Sequence, residues 1–424
     1  GKVHEDAMIE VGTLAAELAF WTRHAPRYLA EERIHSLNPF VLGKKLRVRY
    51  VPRQVAGIIA PWNYPVALGI GDSVPALAAG CGVVLKPSEV TPMSALLLER
   101  ALRECGVPEG VFQVATGRGE TGAALVDEAD VIMFTGSTAT GRKVLERAAR
   151  TLTPVSVELG GKDPLIVLAD ADLERAANTA VYGAMVNSGQ VCMSTERVYV
   201  EAPVYDEFVR RVVEKVGRLR QGPPGGPGTA EVGGITFAPQ LETIERHVRD
   251  AVERGARVLT GGHRRPGPGQ FFEPTVLVDV DGSMACLREE TFGPLLPIVR
   301  VADADEAVRQ ANDSSYGLCA SLFTRDMRRG ERLAARMHAG TVSINDILAH
   351  YLAMGMPMGG LKSSGIGARH GAEGIRKFCE RRALCASRWH LRRDLHTYPY
   401  SPATTRLLLR TLRLMYGRRW GLGR

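Results

Sequence analysis

Cys192 stands in Asn187-Ser-Gly-Gln-Val-Cys-Met-Ser-Thr-Glu-Arg197, among small and polar residues. Gly189 lies just before it, and a β-rich run, Arg197-Val-Tyr-Val-Glu201, follows. That setting places a thiol at the mouth of a strand, where a thiolate can attack an electrophilic carbon. The bland alternative for the same window is a buried, inert thiol. The other six cysteines, Cys81, Cys105, Cys286, Cys319, Cys379 and Cys385, stand alone, mostly beside apolar residues, and read as small core hydrophobes. Three further polar groups close short apolar runs. Asn63 follows Val55-Ala-Gly-Ile-Ile-Ala60 inside Pro61-Trp-Asn-Tyr-Pro65. Lys86 ends Val83-Val-Leu85, with Glu89 three residues on. Glu158 ends Val155-Ser-Val-Glu158, ahead of Leu159-Gly-Gly-Lys162. Taken singly these are a turn residue, a surface ion pair and a solvated strand end. Taken with Cys192 they supply an amide donor, a cation and a carboxylate base beside a nucleophile.

Two glycine-rich turns offer a cradle for a dinucleotide. Gly117, Gly119 and Gly122 spell G-x-G-x-x-G, which lets backbone and a helix N-terminus approach a pyrophosphate. No acidic residue about twenty positions on ends a following strand, as that fingerprint expects. Gly136-Ser137 is the second turn; Ser137 can cap a helix and donate to a phosphate, or simply cap the helix.

The elements that must carry these residues alternate. Helical spacing covers Glu5 to about His24, Val66 to Ala79, Met93 to Glu104, and a stretch from the Gly136 turn to about Arg150. Buried strands fit Val55–Ala60, Val83–Leu85, Val111–Val114 and Val131–Phe134. After Cys192, helices fit Val204–Arg218 and Gln240–Arg254, and strands fit Ala256–Leu259, Thr275–Val280, Pro297–Val301, Ala320–Phe323 and Thr341–Ile344. Gly222-Pro-Pro-Gly-Gly-Pro-Gly228 reads as a loop. Strands alternating with helices at this spacing predict an α/β fold with a doubly wound parallel sheet.

Composition bounds the remaining classes. The chain has 424 residues, long enough for two domains. Seven cysteines, an odd number without a C-x-x-C pair, point to a reducing, cytoplasmic setting and no disulfide framework. The first residue is Gly1, so a natural N-terminal segment is expected to precede it, a removed targeting signal included. The apolar run Val66 to Leu85 contains Asp72, Pro75 and four glycines, which suits a helix and a strand better than a membrane span. From Ala386 to Arg424 there are nine arginines and one aspartate, a net of +8 equal to that of the whole chain. The other residues therefore balance, and the basicity says nothing about nucleic acid, which is not expected as a partner.

Pro61-Trp-Asn-Tyr-Pro65, Leu85-Lys-Pro-Ser-Glu89, Phe134-Thr-Gly-Ser137, Glu158-Leu-Gly-Gly-Lys162, Gly189-Gln-Val-Cys192 and Glu289-Glu-Thr-Phe-Gly-Pro294 occur in one order along the chain. That order resembles the aldehyde dehydrogenase superfamily, as does the 34-residue step from Glu158 to Cys192. The likeness runs to about Ser387, without the family's N-terminal leader. It implies that Cys192 is the nucleophile, that Asn63 and the Cys192 N–H hold an oxyanion, and that Glu158 is the base. It implies further that Lys86 and Glu89 bind the adenosine ribose, that Gly119 passes the adenine, and that Gly136 and Ser137 meet the pyrophosphate. Glu290 would bind the nicotinamide ribose with Phe292 beside the ring, and Trp62 and Leu159 belong to the same cofactor site; no metal is implied. The Gly117 motif is then partly a decoy. A carboxylate at Glu89 repels a 2′-phosphate, so NAD is expected, with Lys86 leaving NADP admissible.

The implied reaction is NAD(P)-dependent oxidation of an aldehyde to a carboxylate through a cysteine thiohemiacetal and thioester. Ser343-Ile-Asn-Asp346, Pro357-Met-Gly-Gly360, Ser363-Ser-Gly365 and Arg369-His-Gly-Ala-Glu-Gly-Ile375 are most similar to bacterial succinate-semialdehyde dehydrogenase-like members, which makes succinate semialdehyde the implied substrate. A semialdehyde needs a cation for its far carboxylate, and Arg197 and Arg369 are candidates. The alternatives are an aliphatic or aryl aldehyde, a CoA-acylating enzyme (against which Glu158 argues), or a non-catalytic family member. The resemblance divides the chain into a cofactor domain (1–33 and 54–160), a catalytic domain (161–380), oligomerisation strands (34–53 and 381–388) and a basic tail (389–424), and implies a homodimer or homotetramer. In the tail, Thr405 to Trp420 places Arg406, Arg410 and Arg413 on one helical face with leucines on the others. Such a helix is suited to an anionic membrane surface or to docking on its own protein.

Overall fold

The structure, a computed structural model, describes residues 1–36, 38–389, 392 and 397–416. It contains two compact units. Gly1–Leu29 with Pro52–Glu380 form the first, and Ala30–Val51 with Arg381–Arg424 the second. In the second unit β1 (Glu32–Ile34) pairs antiparallel with β2 (Lys44–Pro52), Glu32 opposite Val48.

Short Val/Ile-rich runs become parallel strands buried on both faces. β3 (Val55–Ile59), β4 (Gly82–Lys86), β5 (Phe112–Val114), β6 (Val131–Thr135) and β7 (Val155–Glu158) follow one another with helices between. Then come β8 (Asp163–Val167), β9 (Thr195–Glu201), β10 (Arg257–Thr260), β11 (Thr275–Val278), β12 (Leu295–Val301), β13 (Cys319–Phe323), β14 (Thr341–Ile344), β15 (Gly365–Ile366) and β16 (Cys379–Ser387). One sheet has the order β15-β7-β6-β3-β4-β5, parallel except for β15. A second runs β10-β11-β12-β9-β8-β13-β14, parallel except for β10. β16 completes the small sheet, β1-β2-β16. The fold is α/β and doubly wound. In the seven-stranded sheet, Leu165, Val167, Val198 and Val200 pack into one apolar cluster, while Ile166, Leu168 and Tyr199 pack into another. This is the alternation of a strand buried on both sides.

Several expectations need correction. β11 stops at Val278 rather than Val280, because Asp279 adopts φ 56°, outside strand geometry. β8 and the helix Leu173–Met185, between Glu158 and Cys192, escaped the sequence reading. Cys81, Cys286, Cys319 and Cys379 are buried, but Cys105 and Cys385 are exposed. Cys105 caps the end of the helix Pro92–Glu104, between Glu104 and Gly106, and Cys385 lies on exposed β16, so neither neighbourhood is core. The tail helix runs Pro402–Tyr416; the predicted turn through Trp420 lies outside the described residues.

The site uses the carboxyl edge of the six-stranded sheet. Chain order runs outward from β3 to β5 on one side and continues through β6 and β7 on the other, so strand order reverses between β3 and β6. Ile59 pairs with both Lys86 and Phe134, and Thr135 with Glu158. The segments after β3, β4, β6 and β7 therefore leave the sheet at one edge, where open α/β sheets bind ligands.

Candidate active site

Cys192 is presented by a strained loop. After the helix Leu173–Met185, Asn187 (φ 49°), Ser188 (φ 58°) and Gly189 (φ 72°) take three successive left-handed conformations. For Asn187 and Ser188 this costs roughly 1–2 kcal/mol each. At 189 only glycine fits, since a Cβ would lie 2.1 Å from the Gly293 carbonyl oxygen. Hydrogen bonds offset the strain. The Asn187 N–H donates to Asp6 (3.0 Å), and Asn187 Nδ2 donates to the Asn63 (3.1 Å) and Gln190 (3.2 Å) carbonyls. Gln190 Nε2 donates to the Asn187 carbonyl (2.8 Å), while Gln190 Oε1 accepts from the Thr236 N–H (2.8 Å). The loop is thus tied to the first helix, to the Asn63 segment and to residue 236. Cys192 emerges from it partly exposed.

Asn63 and Glu158 flank this thiol. Asn63 is buried before the helix Pro65–Ala79, and its Nδ2 donates to the Gln190 carbonyl at 2.9 Å. An amide NH₂ carries two protons, so one N–H remains for a further acceptor. Glu158, the last residue of β7, is buried, and the Cys192 thiol is within hydrogen-bonding reach of it. Burial raises the Glu158 carboxyl above its ordinary pKa, opposed chiefly by the Arg369 charge. Burial, and then the Glu158 charge, push the Cys192 thiol well up. Each group is thereby biased toward its neutral form.

Trp62, Asn63, Lys86, Glu89, Gly119, Gly136, Ser137, Leu159, Cys192, Glu290 and Phe292 all line one cavity of about 880 Å³. Glu158 is not among the lining residues; it is buried directly before the lining Leu159. The volume is typical of cofactor clefts. Lys86 donates to the Pro87 carbonyl (2.9 Å) and pairs with the half-exposed Glu89 at 3.6 Å. Ser137 caps the helix Thr138–Ala148, accepting from the Thr140 N–H at 3.3 Å, so that helix opens its positive end at the cavity. A Cβ on Gly119 would meet nothing within 4 Å, which leaves open space beside that backbone.

The far wall is held by residues the sequence reading did not single out. Glu196, buried in β9, accepts from the Thr291 (2.8 Å) and Phe292 (2.9 Å) N–H groups and from the Lys162 ammonium. Lys162 also donates to Thr291 Oγ1 at 3.1 Å. The Glu290–Phe292 loop is thereby fixed to the strand that follows Cys192. Glu290 accepts from the Gly161 N–H (2.9 Å), and burial pushes its carboxyl up to about 8. Phe292 sits edge-on to Trp62, ring centroids 5.4 Å apart. The available signal for Glu196 was a charged pair, Glu196-Arg197, directly before the apolar run Val198-Tyr-Val200 of a buried strand. Lys143, Arg147 and Arg150, on and just beyond the helix that Ser137 caps, also line the cavity; Arg147 is paired with Asp127.

Neither arginine considered for a substrate carboxylate is free for it. Arg197 is buried and donates to the Lys162 (2.8 Å) and Ala311 (2.9 Å) carbonyls. Arg369 is buried against Asp72, Thr135 and Glu158. Around Cys192 and Met193 the packing is instead apolar, from Leu318, Cys319, Leu348, Tyr351 and Met358. Among the described residues no helix is long and apolar enough to cross a membrane.

A model of the aldehyde dehydrogenase family matches residues 1–384. A Mycolicibacterium smegmatis protein provisionally named succinate-semialdehyde dehydrogenase (NADP+) is 43% identical over 393 residues, 92% of this chain and 75% of its own length. A Methylomonas protein named 4,4′-diapolycopene aldehyde oxidase is 40% identical over 405 residues, 95% of this chain and 75% of its own. The crystal structure of a Staphylococcus aureus betaine aldehyde dehydrogenase point mutant with NAD+ superposes with a TM-score of 0.87 at 31% identity, covering 95% of this chain and 81% of that one. The chain belongs to the aldehyde dehydrogenase family and is an oxidoreductase that acts on aldehydes.

Proposed function

We propose that the chain oxidises an aldehyde to a carboxylate at Cys192, with a nicotinamide dinucleotide bound in the 880 Å³ cavity. The observation that carries this reading is that the thiol, a spare amide N–H and the glycine-lined cavity meet at one sheet edge, with a carboxylate buried beside the thiol. The cavity suits a dinucleotide, with open space at Gly119, a capped helix N-terminus at Ser137 and an aromatic wall of Trp62 and Phe292. Lys86 and Glu89 would hold the adenosine ribose, Gly136 and Ser137 the pyrophosphate, Glu290 the nicotinamide ribose, and Leu159 the adjoining wall. Bound there, the dinucleotide supplies the hydride acceptor.

The chain's own groups do the rest. Glu158 takes the thiol proton, and the Cys192 sulfur attacks the aldehyde carbon to give a thiohemiacetal. Asn63 Nδ2 and the Cys192 N–H hold the oxygen as negative charge develops, donors worth about 3 kcal/mol each. Oxidation leaves a thioester on Cys192. Glu158, having passed the thiol proton to bulk water, then takes a proton from the hydrolytic water, whose oxygen attacks the thioester carbon; the Cys192 thiolate leaves, and the product acid ionises to the carboxylate.

Glu89 at the cavity favours NAD; the NADP named for the mycobacterial relatives finds compensating cations at Lys86, Lys143 and Arg150. Those relatives make succinate semialdehyde the first candidate substrate. The engaged arginines and the apolar surroundings of Cys192 favour a second reading, an aliphatic or aryl aldehyde. NADH and NADPH formation with succinate semialdehyde, hexanal, decanal and benzaldehyde separates the two. Dominance of the semialdehyde supports the first, and its failure beside turnover of decanal supports the second.

The strand edges of the small sheet suit a homodimer or homotetramer, because an unpaired edge is a template for another strand. Seven free cysteines agree with a cytoplasmic setting. The exposed Leu407, Leu409, Leu412 and Leu414, with Arg406, Arg410 and Arg413 on the same helix, support contact with an anionic lipid surface. Liposome flotation with and without residues 401–424 tests that contact.

A further inference from the structure

We propose that Arg369, anchored by Asp72 and Thr135, positions the Glu158 carboxylate beside Cys192 and favours its charged form. The proposal rests on the reading of Glu158 as the base.

Topology brings the two residues together. β15 pairs antiparallel with β7, Gly365 opposite Glu158, so the segment after β15 returns past the end of β7. The Arg369 N–H donates to the Met358 carbonyl at 2.7 Å, which fixes its backbone. Its guanidinium is then locked in a fork. Nε and Nη2 reach the two Asp72 oxygens at 2.8 and 2.9 Å, and Nη2 also reaches Thr135 Oγ1 at 2.7 Å. Asp72 lies on the helix that begins two residues after Asn63, and Thr135 is the strand neighbour of Glu158. Three donors of the fork thus face rigid acceptors, and Nη1 turns to Glu158 Oε2 at 3.2 Å.

The contact is asymmetric. Oε2 of Glu158 is tethered, whereas Oε1 is buried with no hydrogen-bond partner at ordinary distance among the described residues. One oxygen is held and the other is left to work on the thiol or on water. The longer tether matches a base that must give up and regain a proton, while the two-point Asp72 contact fixes the arginine itself. A buried carboxylate without a cation would take up a proton instead.

Other charges bear on the pair. Glu158 feels Asp72, Glu290, Cys319 and Lys377 in addition to Arg369 and Cys192. Arg369 is flanked by Tyr351, Lys377 and the buried His370, and Glu17 lies on the opposing helix. Of these only Arg369 is a cation bonded directly to Glu158.

The test is the pH dependence of kcat and the pre-steady-state burst of reduced cofactor, in the wild type, Arg369→Met, Arg369→Lys, Asp72→Asn and Glu158→Gln. In Arg369→Met the acid limb of kcat moves up by about one pH unit or more. A burst appears near neutral pH because thioester hydrolysis slows, and KM for the dinucleotide stays within about twofold. Arg369→Lys recovers part of the shift. Asp72→Asn removes the competing carboxylate and moves the limb the opposite way, so the proposal stays testable if Arg369→Met does not fold. A kcat that falls equally at every pH in Arg369→Met, or an unmoved limb in Asp72→Asn, overturns the positioning role. An acid limb that survives in Glu158→Gln overturns the base reading itself, a distinct result.

Discussion

A thiol attacks only after losing its proton, and burial works against that at both Cys192 and Glu158. Both ordinary pKa values are raised, so the reactive pair gains population as pH rises. Activity is therefore expected to climb as pH rises from the acid side through neutrality. A flat profile of kcat/KM over that range would contradict the assignment of Glu158. Glu17 offers a stability counterpart. Burial, then Asp72, push its carboxyl up to about 8 from 4.5. The folded chain thus holds a proton that the unfolded chain has released, and stability falls as pH rises through that window. Glu17→Gln removes the burden of a buried charge, so its Tm should exceed the wild type's at about pH 9 by a few degrees and match it more closely at about pH 5. Thermal unfolding at the two pH values checks this. At Glu89, Glu89→Gln should raise the NADP/NAD ratio of kcat/KM by about tenfold, since a 2′-phosphate no longer meets a carboxylate. Of the cavity-lining residues, Asn63 and Lys86 were legible as polar types at strand ends, and Glu290 and Phe292 only through the family resemblance. Arg369 was legible only as a cation without a place, because its partners Asp72 and Thr135 are hundreds of residues away and nothing local marks the pairing.

Among the elements, parallel strands such as β3 and β6 were readable because burial on both faces leaves unbroken apolar runs, whereas β8 was missed because it opens on Asp163-Pro164. The loop that carries Cys192 was not, because its left-handed geometry at Asn187 and Ser188 is imposed by hydrogen bonds to Asp6, Asn63 and Gln190 rather than by residue preference. Gly189 is the exception, visible as a glycine and required by the Gly293 carbonyl. Gly189→Ala should cost more than about 2 kcal/mol in stability, from a left-handed φ and a backbone clash together. Because the clash joins the Cys192 and Phe292 loops, kcat should fall as well. Denaturant unfolding with parallel kinetics reads both, and a variant of unchanged stability would show that the loop relaxes freely.

At the scale of the whole molecule, the edge of the six-stranded sheet unites segments far apart in sequence, which is why a motif such as Gly117–Gly122 misleads when read alone. The small β1-β2-β16 sheet belongs to a separate unit and has β1 and β16 as its edge strands. A dimer or tetramer built through it should collapse toward the 46.0 kDa of one chain when Leu384→Pro interrupts β16. Light scattering across a dilution series reads the mass, and an unchanged assembly would move the interface elsewhere. The central claim, however, is chemical: one thiol carries the reaction. Its most direct test is the formation of NADH or NADPH by wild type and Cys192→Ala on the same aldehyde panel, with intact-protein mass measured during turnover. Turnover and a trapped acyl adduct on the wild type, both absent from Cys192→Ala, are the expected result. Turnover that survives in Cys192→Ala would contradict it.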